Sequence, residues 1–169
     1  MTRFAPAWLA IAALAGCGYH ISGQGDLMPK SIHTIAVTPM SASRYQLARL
    51  LPADITRELI SRTKYKVIDD PNQADAVLSG HVANFSNFPT LFDPATGRAT
   101  SVEVVVTLQV ALVERSSGKT LFTRPNMEVR ERYQISTNPQ QYFDESGTAI
   151  QRLSKDVAQS VVSAILENF

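Results

Sequence analysis

Between Thr100 and Val113 apolar and polar residues alternate almost without a break. Val102, Val104, Val106, Leu108, Val110 and Leu112 fall on one side, and Ser101, Glu103, Thr107 and Gln109 on the other. A period of two sustained this far predicts a long strand with one buried face. The run Arg115 to Lys119 (R-S-S-G-K) predicts a hairpin loop with a glycine, and Leu121 to Tyr133 its return strand. Pro125 has no N–H to give to a ladder, so it predicts a sheet edge or a bulge there. Upstream, Ala76 to Phe88 predicts a strand, and Tyr65 to Ile68 a short one stopped by Asp69-Asp70-Pro71. Ile32 to Thr38, bounded by Pro29 and Pro39, predicts another, with His33, Ile35 and Val37 on one face.

Two segments change period. Leu47, Leu51, Ile55 and Leu59 recur every four residues, with Leu50 and Ile60 beside them, which predicts an amphipathic helix. Ser41 and Ser43 offer N-caps. Pro52 requires either a kink or a start near Leu51. A second stripe, Ile150, Leu153, Val157, Val161 and Ile165, widened by Ala149, Ala158 and Val162, predicts a helix over Ser146 to Phe169. The order of elements predicts an α+β fold: a two-layer sandwich, two helices on one face of a four- to five-stranded, mostly antiparallel sheet. The other sheet face, with Glu103, Val105, Thr107 and Gln109, is left to solvent or to a partner.

The N-terminus has a different pattern. Arg3 precedes an almost wholly apolar run, Phe4 to Ala15, too short to span a bilayer but suited to a signal-peptide core. It ends in Leu14-Ala15-Gly16-Cys17, which resembles the bacterial lipobox. That resemblance implies a diacylglyceryl group on Cys17 and cleavage before it. Two or more acyl chains hold a protein to a membrane at about 0.8 kcal/mol per buried methylene. Gly18 follows the cysteine, not the aspartate associated with inner-membrane retention, so the expected location is the outer membrane, facing the periplasm. The expected organisation is a signal peptide over residues 1–16, a lipidated N-terminus and flexible tether over 17–31, and one α+β domain over 32–169.

Composition narrows the chemistry. Apolar residues make up 44% and charged residues 18%, an ordinary globular balance. Lys and Arg number 16 against 15 Asp and Glu, so the net charge of +1 does not suit a nucleic-acid binder. One cysteine excludes a disulfide framework within the chain. His20, His33 and His81 share no metal-binding spacing, so no metal or cofactor is expected. Gly118-Lys119-Thr120 looks like the end of a phosphate loop, but Val113 stands where that pattern needs glycine. No G-x-S-x-G occurs and no pair of acids forms an acid–base couple, so catalysis is not expected. The basic residues are candidates for anion recognition, since an arginine fork matches phosphate and carboxylate geometry. Arg98 lies in the loop between the two longest strands, and Arg115 and Lys119 in the next hairpin. By period two, Arg124, Arg130 and Arg132 share one face of the return strand with Glu128.

Cys17-Gly18-Tyr19-His20, directly at the lipobox, resembles the start of the lipopolysaccharide-assembly lipoprotein (LptE) family. Lys66-Val67-Ile68-Asp69-Asp70 followed by Ala74-Asp75-Ala76-Val77-Leu78-Ser79-Gly80 looks like that family's entry to its second long strand, and the later elements also line up. The resemblance implies a plug and assembly partner inside a large outer-membrane β-barrel, the translocon that delivers lipopolysaccharide to the outer leaflet. It also implies binding of lipopolysaccharide itself. The family's basic contacts lie in the loop joining its two long strands and just before its last helix. Here the first region offers Arg98; the second, residues 138–147, holds Asp144 and Glu145 and no basic residue. The same K-V-I-D and A-D-A-V-L-S-G runs also look like lipoproteins that activate a cell-wall synthase or form part of a secretion pore.

Overall fold

The computed structural model describes residues 28–135 and 146–168. Cys17, the tether up to residue 27 and the segment 136–145 lie outside the described residues. Seven elements follow one another: β1 (Thr34–Val37), α1 (Tyr45–Arg62), β2 (Lys66–Ile68), β3 (Ala76–Phe92), β4 (Ala99–Glu114), β5 (Thr120–Gln134) and α2 (Ser146–Glu167). The strands form one sheet in the order β2-β1-β3-β4-β5. β1 runs parallel to both β2 and β3, while β3, β4 and β5 are antiparallel. The parallel pair β1 and β2 is joined through α1, as parallel strands require a crossover. This is the expected α+β architecture with five strands.

Both apolar stripes are buried. Leu47, Leu51, Ile55 and Leu59 of α1 meet Leu153, Val157, Val161 and Ile165 of α2 and the Val102 to Leu112 face of β4 in one core. Ile60, read as flanking the stripe, is 60% exposed instead. α1 runs unbroken through Pro52, so it does not begin near Leu51. The missing N–H and the ring clash of Pro52 fall on the turn of Ala48, and burial of Leu47 and Leu51 holds that turn in place. Nor do Ser41 and Ser43 cap the helix: Arg44 occupies the N-cap position without a side-chain cap. In β1, Ala36 is buried as well as Ile35, because a central strand is hidden on both sides by its neighbours.

The helices lie parallel. Ser154 Oγ donates to Asp54 Oδ2 at 2.6 Å, and Arg62 Nη1 donates to Ser163 Oγ at 2.8 Å, so both chains advance in the same direction. Asp54 is a buried carboxylate satisfied by Ser154 and by Arg57. The Ala-Asp-Ala run has a structural explanation. Asp75 Oδ2 accepts from the His33 and Thr34 backbone N–H groups and from Thr34 Oγ1, all within 2.8–2.9 Å. The Asp75 N–H donates back to Thr34 Oγ1. The His33 amide, first among these donors, holds the Asp75 carboxyl below the usual carboxylate range. This clamp fixes the start of β1 against β3. Gly80 answers a packing demand, since a Cβ there would stand 2.7 Å from the Gln109 carbonyl oxygen and 3.0 Å from Val110.

Lengths decide the outline. The 16 residues of β4 rise roughly 3.3 Å each and extend about 50 Å. The 22 residues of α2 span only about 33 Å. Asn168, after the end of α2, donates to the Leu121 carbonyl, and Arg152 pairs with Glu131, so α2 covers β5 from its start to about Glu131. The far ends of β3, β4 and β5 therefore overhang the helices. β1 pairs only with the opposite end of β3, at Ala76 to Leu78, and β2 pairs with β1. The molecule has a thick root, five strands wide and two layers deep, and a thin tip of three strands.

Candidate functional site

The two hairpin loops at the ends of β4 have one design. Asp93-Pro94-Ala95-Thr96-Gly97-Arg98 and Glu114-Arg115-Ser116-Ser117-Gly118-Lys119 both run acid, three residues, glycine, base. Each acid and base close the ladder, with the Asp93 N–H on the Arg98 carbonyl and the Glu114 N–H on the Lys119 carbonyl. Each glycine is left-handed, with φ of 64° at Gly97 and 69° at Gly118. The glycine of R-S-S-G-K is thus a hairpin glycine, not a phosphate-loop one.

This geometry separates the predicted ligand residues. Arg98 is at the tip, and Arg115 and Lys119 at the root, about 50 Å away along β4. They do not form one site. Arg115 is also committed to structure: its Nε donates to the Ala74 carbonyl at 2.7 Å and its backbone N–H to Asp75. Arg98 and Lys119 are exposed. The expected row on β5 divides as well. Arg124 pairs with Val110, whereas Glu128 and Arg130 pair with Thr107 and Val105. Directly opposed residues share a face, so Arg124 lies on the helix face and the others on the uncovered face. The cause is the register shift between Arg124 and Met127, at Pro125, which breaks the period-two count. Arg130 bridges Glu128 and Glu103, and Arg132 reaches Glu103, so these cations are already partnered.

Two features of the site were not legible in the pattern. The first is an apolar patch on the overhang. Phe88, Leu91 and Phe92 are 53%, 60% and 60% exposed. Phe88 stands opposite Glu103 and so lies on the uncovered face, while Leu91 and Phe92 follow register shifts at the same end of β3, where Thr90 Oγ1 donates to Ser101 Oγ. On that face Val105 is nearly buried, between Ser86 and Arg130 on the adjoining strands.

The second is a cleft of about 560 Å³ on the other side of the sheet, where the overhang begins. Because the helices are parallel, both start here, contributing Tyr45 and Gln46 from α1 and Ser146, Gly147 and Ile150 from α2. Phe85, Asn87, Val104 and Tyr133 form the floor. Arg44 contributes the one formal charge among the described lining residues, its guanidinium 4.8 Å from the centre of the Phe85 ring. Sequence periodicity could not reveal this site, because Arg44 and Ser146 belong to segments a hundred residues apart in the chain. Among the described residues no cluster of potential metal ligands occurs.

Known proteins place this arrangement. Among curated proteins, none matches the chain in sequence. Several solved structures share its fold. Lipoprotein B from Nitrosomonas europaea is 14% identical with a TM-score of 0.57, covering 78% of this chain and 81% of its own. A lipoprotein from Caulobacter crescentus is 14% identical with a TM-score of 0.53, covering 79% and 88%. The PelC dodecamer from Paraburkholderia phytofirmans is 17% identical with a TM-score of 0.52, covering 80% and 87%. These likenesses establish the fold alone. The family model for LptE, lipopolysaccharide-assembly, matches residues 32–165, from β1 into the last turns of α2. The chain therefore belongs to the LptE family of outer-membrane lipopolysaccharide-assembly lipoproteins.

Proposed function

We infer that the protein is anchored by lipid at Cys17 in the outer membrane and plugs a large β-barrel translocon, helping to assemble it and to deliver lipopolysaccharide to the outer leaflet. The uncovered sheet face carries this reading. Both helices lie on one face, and no described element covers the opposite face of β3, β4 and β5, where Ser101 and Val105 are nevertheless nearly buried. A face that met only water would need no large apolar side chain, yet Phe88 is exposed there, with Leu91 and Phe92 exposed at the same end of β3. Toward the root the same face carries Thr107 and Gln109, and between them and the tip the Glu103, Arg130, Glu128 network. Mixed apolar and paired polar character suits contact with a water-filled lumen better than a dry interface. Of the three residues first considered, Arg98, exposed at the tip, is our ligand candidate; Arg115 and Lys119 lie at the root.

Site-specific photocrosslinkers test the orientation. Probes at Thr107 and Phe88, on the uncovered face, are expected to capture a large outer-membrane protein. A probe at Ile60, on the outer side of α1, serves as the comparison. Capture from Ile60 alone would overturn the orientation, and capture of a peptidoglycan synthase would favour the synthase-activator reading.

A further inference from the structure

We propose that the root end of the molecule is a docking surface for a bilayer with anionic phospholipid headgroups, contacted by Lys30, Lys64, Lys66 and Lys119. For the nearness of the bilayer this rests on the lipid anchor inferred at Cys17; for the charge it rests on the root. The chain has five lysines, and these are four of them. Topology gathers them from three separate segments. β1, β2 and β3 start at the root and β4 ends there: Thr34 stands beside Lys66, Ile35 beside Ala76, and Ala76 beside Glu114. The Lys119 carbonyl closes the last ladder on the Glu114 N–H, just before β5 starts. Lys30 sits in the turn that the Ile32 N–H closes on the Pro29 carbonyl, and its neighbour Ser31 donates to Glu114. Lys64 lies between the end of α1 and the start of β2. Five strands, with neighbours about 4.8 Å apart, make this edge roughly 20 Å wide.

The four ammonium groups are open. All four residues are exposed. Among the described residues, ion pairs are made by Arg57, Arg62, Arg130, Arg132 and Arg152 and by none of these lysines. Two acids of the same end are engaged within the fold: Asp75 accepts from the start of β1, and Glu114 from Ser31 and Ser117. Asp69, after β2, and Glu167, at the end of α2, are exposed and leave the lysines unpaired. Residue type matters too. An arginine fork suits a partner of fixed geometry, as on β5, whereas an ammonium on a flexible stem suits a fluid layer of headgroups. The chain also enters the fold at this end. Cys17 lies eleven residues before Met28, a reach of at most about 40 Å. The tip stands about 50 Å beyond the root along β4, so the root is the end that a lipid at Cys17 holds close. The acyl chains hold the molecule to the leaflet, and the lysines set which end faces it. The contact belongs to the chain outside a barrel, with the tip and the uncovered sheet face still free.

The test is vesicle flotation of the full Cys17→Ser chain, which has no thiol to carry a lipid. Vesicles rich in phosphatidylglycerol are expected to bind it, and vesicles of phosphatidylcholine to bind it far more weakly. Any hold from the apolar run Phe4 to Ala15 is common to every variant, so differences among variants read the root. Each lysine near an anionic surface is worth about a factor of five. Lys64→Gln with Lys66→Gln is therefore expected to weaken binding roughly tenfold to thirtyfold, and adding Lys30→Gln and Lys119→Gln by at least about a hundredfold in all. Arginine at the same four positions keeps the charge and is expected to keep the binding. Lys155→Gln, in the middle of α2, is expected to change nothing. Binding should weaken between about 0.1 M and about 1 M salt, as the Debye length falls from about 10 Å to about 3 Å. Equal binding to both kinds of vesicle, a fourfold glutamine variant that binds like the native root, or an arginine variant that does not bind would each overturn the proposal. Salt-sensitive binding to polyglutamate without any preference for anionic vesicles would overturn it in favour of an acidic protein partner. The intact mass of the native chain tests the anchor separately: no diacylglyceryl group, with vesicle binding by the root intact, sinks the anchor reading and leaves the charged surface standing.

Discussion

The two hairpin loops at the ends of β4 share a backbone solution and nearly a sequence, yet the molecule treats them differently. The root loop is built in: Arg115 donates from its backbone to Asp75 and from its side chain to Ala74, and Ser31 donates to Glu114. In the tip loop the contacts are local ones: Asp93 Oδ1 accepts from the Ala95 and Thr96 backbone N–H groups, and the Arg98 N–H donates to Thr96 Oγ1. Local chemistry made both turns; only the lengths of the helices and of β1 and β2 made one a fixture and the other an outpost. A residue type therefore says little about role here. Arg115 and Arg98 are both hairpin-loop arginines, and one is bonded into the root while the other is exposed at the tip.

The contrast can be broken most strongly in the core. Leu112, two residues before the root loop, is fully buried opposite Phe122. Leu112→Ala is expected to cost about 2–5 kcal/mol, the lost transfer energy plus the cavity left behind. Leu91→Ala, close to the tip loop, is expected to change stability by less than about 0.5 kcal/mol, because most of its side chain is already exposed. Chemical denaturation of both variants decides the matter. Comparable losses would show that the tip packs against something in solution.

The glycines isolate the loops from their surroundings. Gly97 and Gly118 both have positive φ, and a Cβ at either would meet nothing within 4 Å. Gly97→Ala and Gly118→Ala should therefore each cost about 1–2 kcal/mol, the price of a left-handed alanine, and by the same amount. A Gly118→Ala loss well above that of Gly97→Ala would mean that the root contacts cannot tolerate the change in turn geometry.

Periodicity made the strands and both helix stripes legible, because period two and period 3.6 are written locally and burial follows them. The uncovered face was legible in part, from one apolar stripe per helix. What failed were statements that depend on pairing. The row of Arg124, Arg130 and Arg132 was counted correctly, but Pro125, itself foreseen as a possible bulge, shifted the register and turned Arg124 to the other face. Arg130 and Arg132 looked available because their partners include Glu103, which lies on a different strand. The cleft was invisible because it depends on the helices being parallel, which the sequence does not encode in any one segment. Arg44 gave a faint signal: a base directly before the first apolar turn, where a capping serine was expected.

A smaller effect than the loss at Leu112 tests whether the root can be made to behave like the tip. Asp75 fixes β1 with its carboxylate and receives the root loop through its backbone carbonyl. Asp75→Asn keeps the backbone contact but replaces a charged triple acceptor with an amide. The site is partly exposed to solvent, so the cost is expected to be about 1 kcal/mol at neutral pH. The sign of its pH dependence follows from the His33 amide, the first of the donors that lower the Asp75 carboxyl below its usual range. The folded chain then binds this proton less readily than the unfolded chain does, so the clamp's contribution is complete above the unfolded value near 3.9 and declines as the pH falls through the lower, folded value. Asp156 acts in the opposite sense. Burial raises its carboxyl, so its ionisation costs stability at neutral pH and protonation relieves that cost. In the native chain the two oppose each other on acidification; in Asp75→Asn only the second remains. The gap in stability between native chain and variant should therefore narrow below about pH 4, as followed by thermal unfolding. A gap that stays constant down to pH 2 would show that the carboxylate charge does not hold β1, and that the backbone contacts alone tie the root together.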